Sequence, residues 1–487
     1  MTQPTPTTPP PLPTPLATLS VWQRTVASHP LHEARAHAPL PARADVVVIG
    51  GGLCGALVSH ALLFPEEHPP SSSPSAAAAA ASLAASSYPS DLGSSPSCNP
   101  ADTPAPVPSP SIVLLEARTL ASGASGRNAG HCRPDAGRGF PMYAGIHGEQ
   151  EAVRILESEA EALRRTDAFI TRHAISCEWS PRPTYDVHLS SAFAASSASA
   201  HAAYAAAGGP TPTFLDAAAA SAATVPCLGA TAWRAATLNP AQLTLGVVAL
   251  CEADERFAAY THAPVCSVTR ESGGWAVRGP RGCMWAKKVV WATNAYGAGP
   301  VRGLVAPQGA QAHKIPPAPA PNFPVFEGSY SLRRSADVFY SVAPRPDGSI
   351  VLGASRGSWP AHLIAANQGC TDDSGWHPAV ADAACRSWAA LFPSGGWSVD
   401  ANADADNPGG MQGAEAWTGI IGFTRDMVPL VGEVEGQYVA VGYCGHGMAR
   451  MFVTAPALAR YIRTGEWDAA MPASFRVTPQ RLARLRL

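Results

Sequence analysis

The chain is expected to be an α/β protein built on a dinucleotide-binding βαβ unit, followed by a region richer in short strands. Three observations predict this. A β-branched run at 45–49 leads through Gly50, Gly52 and Gly55 into an apolar helical segment at 57–64. A second buried-type strand at 111–115 ends in Glu116. Strands then recur after residue 265, and 339–344 and 350–353 flank the hairpin signal Arg345-Pro346-Asp347-Gly348-Ser349.

The glycine spacing carries the first prediction. Gly50 permits the tight turn, Gly52 lets a diphosphate approach the backbone, and Gly55 lets helix and strand pack closely. The free N–H groups and dipole of the helix that follows favour an anion. Glu116 can accept hydrogen bonds from ribose hydroxyls, which disfavours a 2′-phosphate and hence NADP. The step from Gly55 to Glu116 exceeds the usual gap of about 20 residues. Residues 65–110 are rich in Pro, Ser and Ala, and removing them as a low-complexity insertion restores a normal unit.

The remaining elements follow in order. Residues 1–20 are Pro/Thr-rich and read as disordered, and 21–43, with Trp22, as an extended lead-in. Residues 149–173 suit an amphipathic helix. Helices fit 192–225, and another runs from 238 to about 257. Strands are expected at 265–270, 275–278, 288–293 and 438–441. The last leads into a Gly-rich turn, 442–448, and a helix at 449–461.

Composition narrows the function. The chain has 487 residues, 46% hydrophobic and only 14% charged, against an ordinary charged share of about 25%. Its formal net charge is −2, so no nucleic-acid partner is expected. Eleven Cys without a CxxC pair read as free thiols in a reducing compartment. The first 23 residues hold no Lys or Arg, and no run of about 18 apolar residues occurs. The expectation is a cytoplasmic protein without a membrane span. His131, His313 and His446 lack metal-ligand spacing, and no metal is expected.

Residues 116–131, Glu-Ala-Arg-Thr-Leu-Ala-Ser-Gly-Ala-Ser-Gly-Arg-Asn-Ala-Gly-His, resemble the D-amino-acid oxidase-like superfamily of FAD-dependent oxidoreductases, which includes glycine oxidase and sarcosine oxidase. Residues 417–432 and 442–450 look like its closing segment and flavin-capping turn. The lead-in and 126–131 look most like fungal members. The resemblance implies FAD as cofactor and a glutathione-reductase-type, Rossmann-like domain. That domain would comprise 44–64, 111–150, 235–303 and 412–475. An α+β substrate domain on an antiparallel sheet would take 151–234 and 304–411. The implied cofactor-binding residues are Gly50, Gly52, Leu53, Cys54, Gly55, Glu116, Ala117, Arg118, Ser122, Ser125, Arg127, Asn128, Gly130, His131, Val265, Gly445, His446, Gly447 and Met448.

The implied chemistry is oxidation of a C–N bond in a small amine or amino acid, by hydride transfer to flavin N5. The resulting imine would hydrolyse, with molecular oxygen or another acceptor as partner. Arg345 resembles a substrate-carboxylate arginine, against a plain hairpin arginine. Tyr340 is a candidate for closing the pocket, against a packed strand aromatic. His446 is a candidate near the flavin, against a structural histidine. Cys444, His131 and Cys132 are conceivable covalent anchors, whereas Asn128 stands where some relatives carry an attachment histidine. The family's Pro-x-Arg-Gly-Gln stretch is matched best by 307–311, with Gly309 in place of the arginine. Lys314 is either an oxygen-activating cation or a surface lysine. Oxidation of a C–O bond, or a flavin-binding scaffold without turnover, remain alternatives.

Overall fold

Val46 to Ile49 are all buried, as befits a strand covered on both faces. In the computed structural model, which describes residues 12–15, 18–69, 111–297, 299–354, 356–400 and 407–486, this strand, Arg43–Ile49, sits mid-sheet. Ile112–Leu115 runs parallel on one side and Gly282–Trp291 on the other. The sheet order is Leu430–Val434, Gln437–Val441, Gly282–Trp291, Arg43–Ile49, Ile112–Leu115, Phe257–Tyr260. The helix Leu53–Leu63 leaves the turn and is buried along its whole length. It is apolar all round, so it has neighbours on every face: the sheet and the helices Pro240–Glu252 and Met451–Thr464.

Four expectations need correction here. The helix expected to reach residue 257 stops at Glu252, and Phe257–Tyr260 becomes the outermost parallel strand. Asp254 forms the break, its Oδ1 accepting the Arg256 N–H at 2.9 Å. The lead-in is not extended. Ser20 and Gln23 form a reciprocal capping box that starts the helix Val21–Val26, and Trp22 is 1% exposed. The first residues of the expected insertion are packed: Pro65–Glu67 makes a 3₁₀ turn, and the His68 ring stacks on Phe169. Of the stretch 1–20 expected to be disordered, 12–15 and 18–20 are ordered: the Thr14 carbonyl accepts from Arg118 Nη1 and the Thr18 N–H donates to the Asp373 carbonyl, both at 3.1 Å; residues 1–11, 16–17 and 70–110 lie outside the described residues.

The second sheet has nine strands. Its order is Glu415–Phe423, Ala306–Ile315, Ile350–Ala354, Phe339–Pro344, Ser329–Arg333, Ser180–His188, Ala230–Thr237, His131–Cys132, with Thr213–Leu215 beside Ala230–Thr237. All pairings are antiparallel except that of Ser329–Arg333 with Ser180–His188. The helix Glu149–His173 spans the expected residues and buries Glu159 with its apolar stripe. No described helix is long and apolar enough to cross a membrane.

Candidate cofactor and substrate site

The glycine turn behaves as its spacing demands. Gly50 has a φ of +116°, and a Cβ there would lie 2.6 Å from the Ala292 carbonyl oxygen. A Cβ on Gly55 would lie 2.1 Å from the Gly50 oxygen, so helix and turn could not approach as they do. Gly52 occupies the N-cap without a capping side chain. The Leu53 N–H donates instead to Ser125 Oγ at 2.9 Å. Glu116 closes the turn from the next strand: its Oε2 accepts the Gly51 N–H at 2.7 Å and its Oε1 the Arg118 N–H at 2.9 Å.

A cavity of about 780 Å³ opens on this turn, large for a ligand pocket, where roughly 300–1,000 Å³ is usual. Gly50, Gly52, Cys54, Glu116, Ala117, Arg118, Ser125, Arg127, Asn128, His131, Val265, Gly445, His446, Gly447 and Met448 line it. Leu53, Gly55, Ser122 and Gly130 stand behind that wall. The Ser122 carbonyl accepts from Arg118 Nη2 at 3.1 Å and Arg127 Nε at 2.7 Å. The Gly130 N–H donates to Asn128 Oδ1 at 2.8 Å, which fixes the loop under the cavity. Arg118 grips the buried Asp373 with two bonds of 2.9 and 3.0 Å. Arg127 Nε lies 3.4 Å from the same carboxylate. Burial and the neighbouring Arg118 bring Arg127 down to about 10.

Another stretch of the same wall is built from three arginines. Arg133, Arg138 and Arg333 all line the cavity and converge on Asp186, which is fully buried. Arg333 Nε donates to Asp186 Oδ1 at 2.7 Å and Arg133 Nη2 at 3.0 Å. Arg138 Nε lies 3.4 Å from Oδ2 and also pairs with Asp135 at 2.9 Å. Burial and the two other guanidiniums lower Arg333 to about 10, while burial works against Asp186 but the three cations hold it far below the usual carboxylate range. Nearby, His446 Nδ1 lies 3.2 Å from the buried Glu159. Glu159 also accepts from Arg450 Nε at 2.9 Å and from the Asp135 N–H at 2.8 Å. Arg450 in turn donates to the Tyr143 hydroxyl at 2.6 Å.

Residues 108–462 match the DAO family of FAD-dependent oxidoreductases. The chain belongs to that family. Its cofactor is FAD, and the turn fits the diphosphate, because Gly50 and Gly52 bring backbone without side chains to the cavity wall at the N-terminus of the helix. The fold is shared with glycine oxidase from Geobacillus kaustophilus, at 17% identity and a TM-score of 0.62, covering 90% of this chain and 99% of that one. L-Proline dehydrogenase from P. horikoshii aligns at 14% identity and 0.63, over 91% and 99%. L-Amino acid deaminase from Proteus vulgaris, lacking its specific insertion, aligns at 15% and 0.61, over 93% and 98%. A search of curated proteins by sequence finds no match.

On the substrate side, this oxidoreductase departs from two expectations. Arg345 does not line the large cavity. Its Nη2 lies 3.3 Å from Glu178 Oε1, its guanidinium covers Trp22 at 4.9 Å, and it borders a separate cavity of about 330 Å³. Tyr340 also faces away: its hydroxyl lies 3.3 Å from Ser387 Oγ, and its ring packs into the apolar layer behind the sheet. Alternate residues on a strand point to opposite faces, and it is Phe339 and Ser341 that reach the cavity. His446 does line it. Gly309, Cys132 and Lys314 do not appear in its wall; Lys314 pairs with Glu415 at 2.9 Å. Cys132 and Cys444 are buried thiols, and burial raises both, Cys132 to about 12, which suits inert thiols rather than nucleophiles. The sequence reading missed the three arginines. Arg133 lies only two residues beyond the stretch that carried the resemblance.

Proposed function

We propose that this oxidoreductase oxidises the C–N bond of a small amino acid, or of an amine bearing an anionic group, to an imine that then hydrolyses. The observation that carries this reading is the convergence of Arg133, Arg138 and Arg333 on one carboxylate, in the cavity that begins at the glycine turn. Three cations against Asp186, with Asp135 shared, leave a surplus of positive charge suited to a substrate carboxylate. When bound, FAD supplies the acceptor for the two electrons and the hydrogen.

The chain's own groups position the substrate and manage its proton. Arg333 spends Nε on Asp186 and Nη1 on the Ala336 carbonyl, which leaves Nη2 for a ligand. Ring contacts with Phe339 at 4.0 Å and Phe193 at 5.7 Å hold the guanidinium plane in place. An amine must be neutral to lose hydride. His446 keeps Nδ1 toward Glu159, so Nε2 is the atom able to take the ammonium proton. Phe339, Ile364, Ile420 and Ile421 add apolar wall to the same cavity and limit water there.

The test is anaerobic bleaching of the purified yellow protein by a panel of amino acids and their decarboxylated amines, followed by assays with oxygen and with artificial acceptors. The expected result is faster bleaching by the carboxylated member of each pair, with ammonia or an amine released. Bleaching by neutral alcohols alone, or equal rates for both members of every pair, would overturn the proposal.

A further inference from the structure

Away from the cavity, the ends of two helices bring together side chains that the oxidation does not use. His60 lies in the last turn of Leu53–Leu63, Glu67 in the 3₁₀ turn that follows, and His173 at the end of Glu149–His173. One ligand atom from each lies within 4.8 Å of the others, the one such group among the described residues. His173 Nε2 is 2.8 Å from Glu67 Oε2, and His60 Nε2 is 4.0 Å from the same oxygen. Tetrahedral ligands at about 2.0–2.1 Å from a zinc ion stand about 3.3 Å apart, within this range.

We propose that His60, Glu67 and His173 bind a divalent transition-metal ion of the zinc class, joining the end of the phosphate-turn helix to the helix that carries Glu159. Two details favour this over a plain ion pair. Glu67 Oε2 and His173 Nε2 are both buried, yet neither makes a hydrogen bond despite their 2.8 Å separation. The imidazole N–H direction therefore misses the oxygen, and both atoms stay without a hydrogen-bond partner within the same cluster of three ligand atoms. Second, His60 Nδ1 lies 3.0 Å from His68 Nε2. With the proton on His60 Nδ1, His68 Nε2 is within reach to accept it and the Nε2 lone pair is left for a metal, the outer-shell arrangement that orients metal-bound histidines. Phe169 packs on all three imidazoles, with centroids 5.0, 6.0 and 4.4 Å from His60, His68 and His173, so the rings are held before any ion arrives. Two imidazoles and one carboxylate leave a fourth position for water, and this ligand set suits zinc better than calcium or magnesium, which take oxygen ligands.

The test uses the full flavin-loaded chain, stripped with a chelator and reloaded with Zn²⁺. Metal per chain is read by mass spectrometry after desalting, and melting by tryptophan fluorescence. The expected result is one zinc per chain and a melting temperature several degrees above that of the stripped protein. His173→Gln and Glu67→Gln should retain no zinc and show no zinc-dependent shift, while keeping their flavin absorbance. Glu67 sits on a partly exposed turn, so its variant keeps the test open if His173→Gln misfolds. His68→Ala should still take one zinc at saturation, with affinity reduced roughly 10- to 100-fold. Equal zinc in wild type and both variants, or none in the wild type, would overturn the proposal.

Discussion

Arg333→Gln isolates the carboxylate from the rest of the proposed substrate. The guanidinium is buried, bonds Asp186 through Nε at 2.7 Å and the Ala336 carbonyl through Nη1 at 3.1 Å, and lies on the cavity wall. A hydrogen bond to a charged group contributes about 1.5–3 kcal/mol, so kcat/KM for a carboxylated substrate should fall roughly 10- to 150-fold. The decarboxylated amine makes no such bond, and its kcat/KM should change less than about threefold. Stability limits the experiment. Breaking a buried pair usually costs about 3–5 kcal/mol, but Asp186 keeps Arg133 at 3.0 Å and Arg138 at 3.4 Å. The cost should therefore fall below that range, with the flavin retained. The assay is a pairwise kinetic comparison of each amino acid with its amine, in wild type and variant. An equal loss for both members would refute the assignment, because it would mean the substitution deformed the cavity instead of removing one bond.

Three further outcomes follow from the same geometry. Gly52→Val would bring β-branched bulk within about 3 Å of Ser125 Oγ, where the first Cβ already stands at 2.8 Å; flavin per chain, read from the visible-to-ultraviolet absorbance ratio, should drop severalfold with the melting temperature nearly kept, and an undiminished ratio would contradict the placement of the diphosphate. His446→Asn should lower kcat/KM by about 10²–10⁴-fold if its Nε2 takes the ammonium proton, whereas Tyr340→Phe should leave kcat/KM unchanged. Burial lowers His131 to about 3, so its folded value lies below the unfolded one of about 6.5; its contribution to stability is present above pH 6.5 and declines as pH falls toward 3, and His131→Asn should reduce the slope of melting temperature against pH across that window.

The parts legible in the sequence were those set by neighbours along the chain. Gly50, Gly52 and Gly55 fix a turn through local backbone geometry, and Glu116 meets Gly51 because parallel strands end at the same level. The Gly-rich turn that ends before the helix Met451–Thr464 was legible for the same reason. The substrate wall was not. Strand alternation separates Tyr340 and Val342 from Phe339 and Ser341, but it cannot say which set faces the cavity. That depends on which sheet face the helix Pro378–Leu391 covers, and Tyr340 reaches the Ala383 carbonyl and Ser387 on it. Arg345 looked suitable by its place on a hairpin. The hairpin instead extends the sheet past the cavity, where Trp22 and Glu178 occupy the guanidinium. Asp373 and Asp186 gave no local signal, because their arginine partners lie up to 255 residues away.

In the proposed function, the two arginine groups would let one cavity serve two anionic ligands. Arg118 and Arg127 share Asp373, and Arg133, Arg138 and Arg333 share Asp186 with help from Asp135. In each group the guanidiniums outnumber the carboxylates. Surplus buried charge is costly in a folded chain, and Arg127 and Arg333 show that cost, burial and like-charged neighbours having lowered each to about 10. An anion bound beside either group relieves the repulsion as well as adding hydrogen bonds, so ligand affinity and protein stability are coupled through the same residues. Thermal stabilisation by a non-reactive carboxylate should therefore be large in wild type and small in Arg333→Gln. If both proteins were stabilised equally, the surplus charge at Asp186 would not be the source of recognition.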